Sequence, residues 1–369
     1  MKAVLYHGRG EITYVTNYPQ PDDPKDTQVK IKVDYCGICG SDLHEFLDGP
    51  IFFSESSIKS SPCMGHEMCG EVVKVGPNVS DFKPGDKVVV DACGTCLVKK
   101  HLQPIDNQNI CEACAQGRYN CCESLGFIGL GFGNGGLSEM VLLEERHLIK
   151  YNPDVIPVEI AALCEPLSVA WHAVTQSGVD AKHSTLILGA GPIGLATIFA
   201  LKGKEVENII ISEPAKARRE LAEKFGIKTF DPCAFNDPKE CNKALKQLSL
   251  DGKGFDKTYD CSGIPATFNT SVEVLRAGGV ATNVAIWGHK PIDFYPMNVT
   301  LHEKFITGSM CYTKRDFESV IKAFEAGLID PNEVKELVTS IIELPDCIEK
   351  GFQELIQHKN KHIKILVKP

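Results

Sequence analysis

The stretch that most constrains this chain is the apolar run Thr185-Leu186-Ile187-Leu188, followed at once by Gly189-Ala190-Gly191-Pro192-Ile193-Gly194 and a helical pattern to about Lys202. Three glycines at this spacing suit one local structure, a strand that turns tightly into a helix. The first glycine permits the turn, the second lets a pyrophosphate approach the backbone, and the third lets helix and strand pack closely. The helix N-terminus then offers unpaired N–H groups to a diphosphate. A glycine-rich turn in any buried sheet has the same glycines, so the surroundings decide. The next strand, Asn208-Ile209-Ile210-Ile211-Ser212, ends at Glu213, close to the ~20-residue offset at which a carboxylate meets ribose hydroxyls. The predicted dinucleotide contacts are therefore Gly189, Gly191, Pro192, Ile193, Gly194 and Glu213. A carboxylate at 213 repels a 2′-phosphate, which favours NAD(H) over NADP(H). Arg218 and Arg219 lie on a predicted helix, Ala215 to Lys224, where adenosine contact and a solvated face are both open to them.

At 369 residues the chain exceeds the roughly 250–300 residues at which one core stops growing, so two domains are expected. A formal charge of −9 argues against a nucleic-acid partner, which needs clustered Lys and Arg. The N-terminus turns polar too early for a signal peptide. The most apolar stretch, Thr185 to Leu201, is short and holds three glycines, as a buried strand and helix would and a membrane span would not. Sixteen cysteines without a secretory signal suit metal ligation and core packing better than disulfides, and place the protein in the cytoplasm.

Residues 1 to about 165 hold short β-rich runs, such as Val29 to Val33, Glu71 to Val75 and Lys87 to Asp91, separated by Gly, Pro and Asp turns. From residue 184 apolar strands alternate with helical stretches, the pattern of a parallel sheet. Further strands are expected at Lys257–Asp260, Val280–Ala285 and near Phe305–Ser309. The tail, helical from Phe317 to Gly327 and ending in the strand Ile363–Val367, is too short to fold alone and is expected to rejoin the first domain.

Zinc takes tetrahedral N, S and O ligands, and a catalytic site keeps one position open. Cys39, His66 and Glu165 supply a thiolate, an imidazole and a carboxylate that offset the dication. Glu67 reads either as a fourth ligand or as a group behind the ligands, and Cys164 is the rival of Glu165. Taken singly, Cys39 is a buried thiol and His66 a hydrogen-bonded core histidine; the dinucleotide loop tips the set toward metal. A second candidate is Cys111-x-x-Cys114 followed by Cys122, closed by Cys96 into a structural Cys₄ site. Cys93 competes for the first place and Cys121 for the last.

The Gly37-x-Cys39-Gly40-Ser41-Asp42-x-His44 run, Gly65-His66-Glu67, Glu165-Pro166-Leu167-Ser168-Val169 and the nucleotide loop stand in an order that resembles the zinc-containing medium-chain alcohol and polyol dehydrogenases. The resemblance covers essentially the whole chain. A carboxylate third ligand is similar to the sorbitol and butanediol branch, and His44 to Phe52, Trp171-His172 and Gly351 to Leu355 resemble 2,3-butanediol dehydrogenases. The cysteine lobe departs from the family pattern by the segment Leu97 to Ile110. The resemblance implies an α/β fold with a GroES-like irregular β catalytic domain, residues 1–167 and 312–369, and a doubly wound Rossmann domain, 168–311. It implies that Ser41 takes the substrate hydroxyl proton, that His44 passes it to solvent, and that Asp42 orients His66. It also implies hydride exchange between NAD(H) and a small secondary alcohol or ketone, most of all 2,3-butanediol and acetoin, with Zn2+ as Lewis acid. A polyol or broad ketone pocket on the same site is the alternative, with Phe52, Phe53, Leu125, Phe127, Ile128 and Trp287 as lining; a silent binding protein is the remote one. The segment Leu301 to Cys311 resembles the family's pairing strand, implying a homodimer or homotetramer.

Overall fold

The computed structural model describes residues 1–51, 62–97, 110–288, 290–358 and 360–369. Phe52, Phe53, His101, His289 and most of the segment Leu97 to Ile110 therefore lie outside the described residues. The chain divides into two units: Met1–Glu165 with Thr313–Ile321 and Val334–Pro369, and Pro166–Tyr312 with Lys322–Glu333. The tail is thus shared between units, where the sequence assigned all of it to the first. Its Lys322–Glu333 part is held in the second unit, where Glu333 pairs with Lys202 at 2.6 Å.

The second unit is built on a six-stranded sheet, all of whose pairings are parallel. Its order is Lys228–Phe230, Asn208–Ser212, Ser184–Leu188, Phe255–Asp260, Leu275–Asn283 and Phe305–Gly308. Numbered along the chain this is 3-2-1-4-5-6, the doubly wound order that reverses beside its first strand. Ser184–Leu188 is buried at every position, as a strand covered on both faces must be. Each Leu or Ile removed from water there is worth roughly 1.5–3 kcal/mol. The helix Pro192–Gly203 begins with proline in its first turn, where the missing N–H costs nothing.

In the first unit a seven-stranded sheet is organised around the long strand Gln28–Gly37. Glu67–Val75 runs antiparallel to it, with Gly37 opposite Glu67. Along its other edge lies the C-terminal strand Lys364–Lys368, with Leu366 also opposite Gly37. One register point therefore brings together three segments far apart in the chain. Immediately beyond it the helix Gly40–Asp48 begins, with Cys39 at its N-cap.

Candidate active site and metal centres

Ligand atoms of Cys39, His66 and Glu67 all lie within 4.8 Å of one another. Each is placed by an element already described. Asp42, in the first turn of the helix, accepts the Cys39 N–H through Oδ2 at 2.8 Å, and so ties the cysteine's backbone to the helix start. Its other oxygen faces His66 Nδ1 at 3.3 Å, and neither atom has a hydrogen bond to any other group. That leaves His66 Nε2 as the nitrogen available to a metal, 3.3 Å from Ser41 Oγ. Burial opposes a charge on His66, but Asp42 and the Cys39 sulfur outweigh it and hold the imidazolium form well above the usual histidine range. Gly65, at φ +93°, makes the turn before His66, and a side chain there would strike Cys36 and Leu137. The His66 ring packs edge-on against Phe127, centroids 6.1 Å apart.

Glu67 is 1% exposed, and its carboxylate occupies the space that a Gly37 side chain would fill. Lys364 Nζ donates to both of its oxygens, at 2.6 and 2.8 Å, and to the Ile38 carbonyl at 3.3 Å. Burial works against the ammonium, yet Glu67 and then Cys39 keep it above the ordinary lysine range. Lys364 was missed in the sequence because a lone lysine in an apolar terminal strand passes for a solvent-facing residue. Both faces of the strand are buried from Lys364 to Val367, so alternation did not single the lysine out.

Glu165, the expected third ligand, is buried at the start of the helix Cys164–Gln176 and is not a member of the three-residue group. The carboxylate beside Cys39 and His66 is instead Glu67, because the strand register and the absent Gly37 side chain bring it there. The Glu165 charge is still felt by Lys364. Cys164 is fully buried, and it too is outside the three-residue group. Ser41 is buried, whereas the His44 side chain is 60% exposed, with Nδ1 3.5 Å from Asp48.

The four sulfurs of Cys96, Cys111, Cys114 and Cys122 form the second group. Cys111 Sγ lies 3.8 Å from both Cys96 Sγ and Cys122 Sγ, the edge of a tetrahedron with Zn–S bonds of about 2.3 Å. Backbone N–H groups of Cys114 and Cys96 point at the sulfurs of Cys111 and Cys122, at 3.5 and 3.2 Å. Burial opposes a thiolate at Cys111, but the N–H groups of Cys114 and Glu123 bring it down to about 7. Cys93 is outside the group, on a short strand with its N–H on Asp91, and Cys121 is exposed. The sulfurs that cluster with Cys111 and Cys114 are thus those of Cys96 and Cys122.

The glycine loop meets its expected demands unequally. Gly189 sits at φ +100° with Ser262 against it, and a side chain at Gly194 would overlap the Gly189 carbonyl. At Gly191 the nearest atom to a would-be Cβ is Arg218 Nη1 at 3.9 Å. The protein itself leaves that space open, as a phosphate cradle requires. Glu213 is buried; its two oxygens accept the N–H groups of Ala190 at 2.7 Å and Ala215 at 2.8 Å, with lone pairs remaining on each. Arg219 is committed to the fold, donating to the Glu213 and Pro214 carbonyls and pairing with Asp231 at 2.7 Å.

Residues 25–154 match the alcohol dehydrogenase GroES-like domain, and residues 192–326 match the zinc-binding dehydrogenase domain. The (R,R)-butanediol dehydrogenase of Saccharomyces cerevisiae is 46% identical, over 100% of this chain and 98% of the relative. The chain belongs to the zinc-binding medium-chain alcohol dehydrogenases. Within them, the D-xylulose reductase A of Aspergillus niger is 31% identical over 95% of this chain and 91% of its own. The crystal structure of 2R,3R-butanediol dehydrogenase from Bacillus subtilis superposes with a TM-score of 0.85 at 33% identity, over 100% and 99% of the two chains. As a zinc-binding alcohol dehydrogenase the chain acts on CH–OH groups, and its two candidate ligand groups suit the metal, one mixed and one all sulfur.

Proposed function

We propose that this dehydrogenase interconverts 2,3-butanediol and acetoin with NAD(H). The observation that carries the chemistry is the group Cys39, His66 and Glu67 with the Ser41 hydroxyl 3.3 Å from Nε2 of His66. When bound, zinc supplies a Lewis acid and the nicotinamide a hydride acceptor or donor. The chain supplies the rest. Ser41 takes the substrate hydroxyl proton; His44, three residues along the same helix and exposed, exchanges it with water. Asp42 fixes the His66 ring, so that only Nε2 is offered to metal. Cys39 and His66 would hold the catalytic zinc with a carboxylate, supplied by Glu67, which Lys364 fixes beside them, or by Glu165 at the start of its helix. Cys96, Cys111, Cys114 and Cys122 hold a structural zinc. In the second unit Gly189, Gly191, Pro192, Ile193 and Gly194 receive the diphosphate, Arg218 stands over the loop, and the free lone pairs of Glu213 receive the ribose hydroxyls.

Full-length likeness to butanediol dehydrogenases from a yeast and a bacterium supports the substrate. The polyol reading draws on the lower likeness to a D-xylulose reductase. Oxidation of NADH and of NADPH by the zinc-loaded enzyme, offered acetoin, fructose and acetophenone in parallel, separates the readings. Acetoin with NADH is the expected pair; fructose or acetophenone as the better substrate defeats the substrate assignment, and no turnover with any defeats the enzyme reading. Sixteen free thiols support a reducing compartment such as the cytoplasm. The edge strand Phe305–Gly308 carries Phe305 at 61% exposure, near Leu301 at 65%. An apolar sheet edge left open invites pairing, and a homo-oligomer formed through it is expected by light scattering.

A further inference from the structure

Outside the two candidate metal groups, Cys233 and Cys241 stand on neighbouring elements beside the edge strand Lys228–Phe230. Cys233 is exposed in the turn Pro232–Ala234 and Cys241 half-buried in the helix Pro238–Lys246. The Cys241 sulfur lies 3.9 Å from the Pro232 carbonyl oxygen, against the peptide bond that leads into Cys233. Burial, and then the neighbouring Cys233 sulfur, raise the Cys241 thiol.

This turn is wired to the dinucleotide loop. Asp231 accepts the Cys233 N–H at 2.9 Å through Oδ1 and pairs with Arg219 at 2.7 Å through Oδ2. Arg219 donates to the Glu213 carbonyl at 2.7 Å, and the Glu213 carboxylate holds the Ala190 N–H at 2.7 Å. The Glu213 N–H also bonds the Phe230 carbonyl at 3.0 Å. A displacement of the turn therefore reaches Glu213 through Arg219 and through the Phe230 carbonyl.

We infer that Cys233 and Cys241 are a redox-active thiol pair, whose closure to a disulfide weakens dinucleotide binding by pulling the Asp231 turn away from Arg219. The oxidant is a low-molecular-weight disulfide. The exposed Cys233 thiolate attacks one sulfur of RSSR, forming a mixed disulfide and releasing RS−, which takes up a proton. The Cys241 thiolate then attacks the Cys233 sulfur and expels the second RS−. Two protein thiols and RSSR become one protein disulfide and two RSH. A disulfide needs its sulfurs about 2.05 Å apart, so closure draws the turn and the helix together and strains the contacts of Asp231, to the Cys233 N–H and to Arg219.

The effect on binding rests on the dinucleotide reading of the glycine loop; the cross-link does not. Zinc-loaded enzyme is incubated with glutathione disulfide and mapped by peptide mass spectrometry. NADH affinity is measured by fluorescence, and amide exchange at residues 189–194 and 213–215, before oxidation, after it, and after added thiol. A Cys233–Cys241 cross-link is expected, with NADH binding about tenfold weaker, the value of one positioning hydrogen bond. Faster exchange at Ala190 is expected too, all reversed by thiol and absent in Cys233→Ser and Cys241→Ser. Glutathione stranded on Cys233 without the cross-link overturns the pair, and a cross-link that leaves both affinity and exchange unchanged overturns the coupling. If the reduced enzyme fails to bind NADH, the dinucleotide reading falls instead, and the exchange data alone judge the coupling.

Discussion

The two metal groups of the first unit are opposites in construction. Cys96, Cys111, Cys114 and Cys122 come from one stretch of 27 residues, held by short turns and by N–H groups aimed at sulfur. Cys39, His66 and Glu67 depend on a strand register that spans the chain, and on a lysine 297 residues from the glutamate it holds. The sulfur group is complete in itself, as a structural site must be. The mixed group is embedded among buried charges, Asp42, Glu67 and Lys364, each of which needs its partner. The mixed group is therefore the more breakable of the two, and its failures should spread into the fold.

The largest effect is expected from Cys39→Ala. Turnover should fall by at least about a thousandfold, the scale of losing metal-assisted activation, and zinc measured by mass spectrometry should drop from two per chain to one. Cys114→Ser should instead remove the other zinc and leave most of the turnover while lowering the melting temperature. Equal loss of turnover in both variants would erase the distinction between the sites.

Next comes Lys364→Met, which leaves Glu67 buried and uncompensated. Breaking a buried pair from one side costs about 3–5 kcal/mol, to be read from urea unfolding. Adding Glu67→Gln should return much of that loss. A double variant no better than the single would show that the pair does not act as a unit.

Asp42→Asn should act more gently, weakening zinc at the mixed site by about 10–100-fold, as removal of an outer partner does, while the sulfur group keeps its metal against the same chelator. The pH dependence sharpens this. Without metal, His66 holds its proton because Asp42 and Cys39 outweigh burial, so zinc must displace that proton and its affinity falls with falling pH. In Asp42→Asn the competing proton is held less firmly, and the decline should be shallower.

How much of this was legible in the sequence follows the same division. The four-sulfur group could be read from spacing, with only Cys93 and Cys121 confusing it, because local sites are encoded locally. The glycine loop and the strand Asn208–Ser212 were readable because both belong to one βαβ unit. Cys39, His66, Ser41 and Asp42 were visible through motifs, and Glu67 was readable as a ligand or a group behind the ligands; that it, rather than Glu165, stands beside Cys39 and His66 depends on the absent side chain at Gly37. Lys364 was invisible for the same reason, as no local pattern in the last strand points to residue 67. Register between distant strands is a tertiary fact, and a periodicity argument reaches only the face on which a residue lies.

The smallest effect tests whether the mixed site stores unfavourable electrostatics beyond its ligands. Glu45 sits one turn after Ser41 and Asp42 on the same helix, 3% exposed, and burial, then Asp42, push its carboxyl up from 4.5 to about 7. Its folded pKa is raised, so the folded state binds the proton more tightly than the unfolded chain. Whatever stability this confers is complete below about pH 4.5 and is lost as the pH rises to about 7. Glu45→Gln keeps the shape of the neutral acid and removes the penalty. It should therefore be nearly silent in unfolding experiments at pH 5 and stabilise the protein at pH 8, by something on the order of 2–3 kcal/mol. Stabilisation of equal size at both pH values would mean that Glu45 is held by packing alone, and would confine the electrostatic cost of the mixed site to Asp42, Glu67 and Lys364.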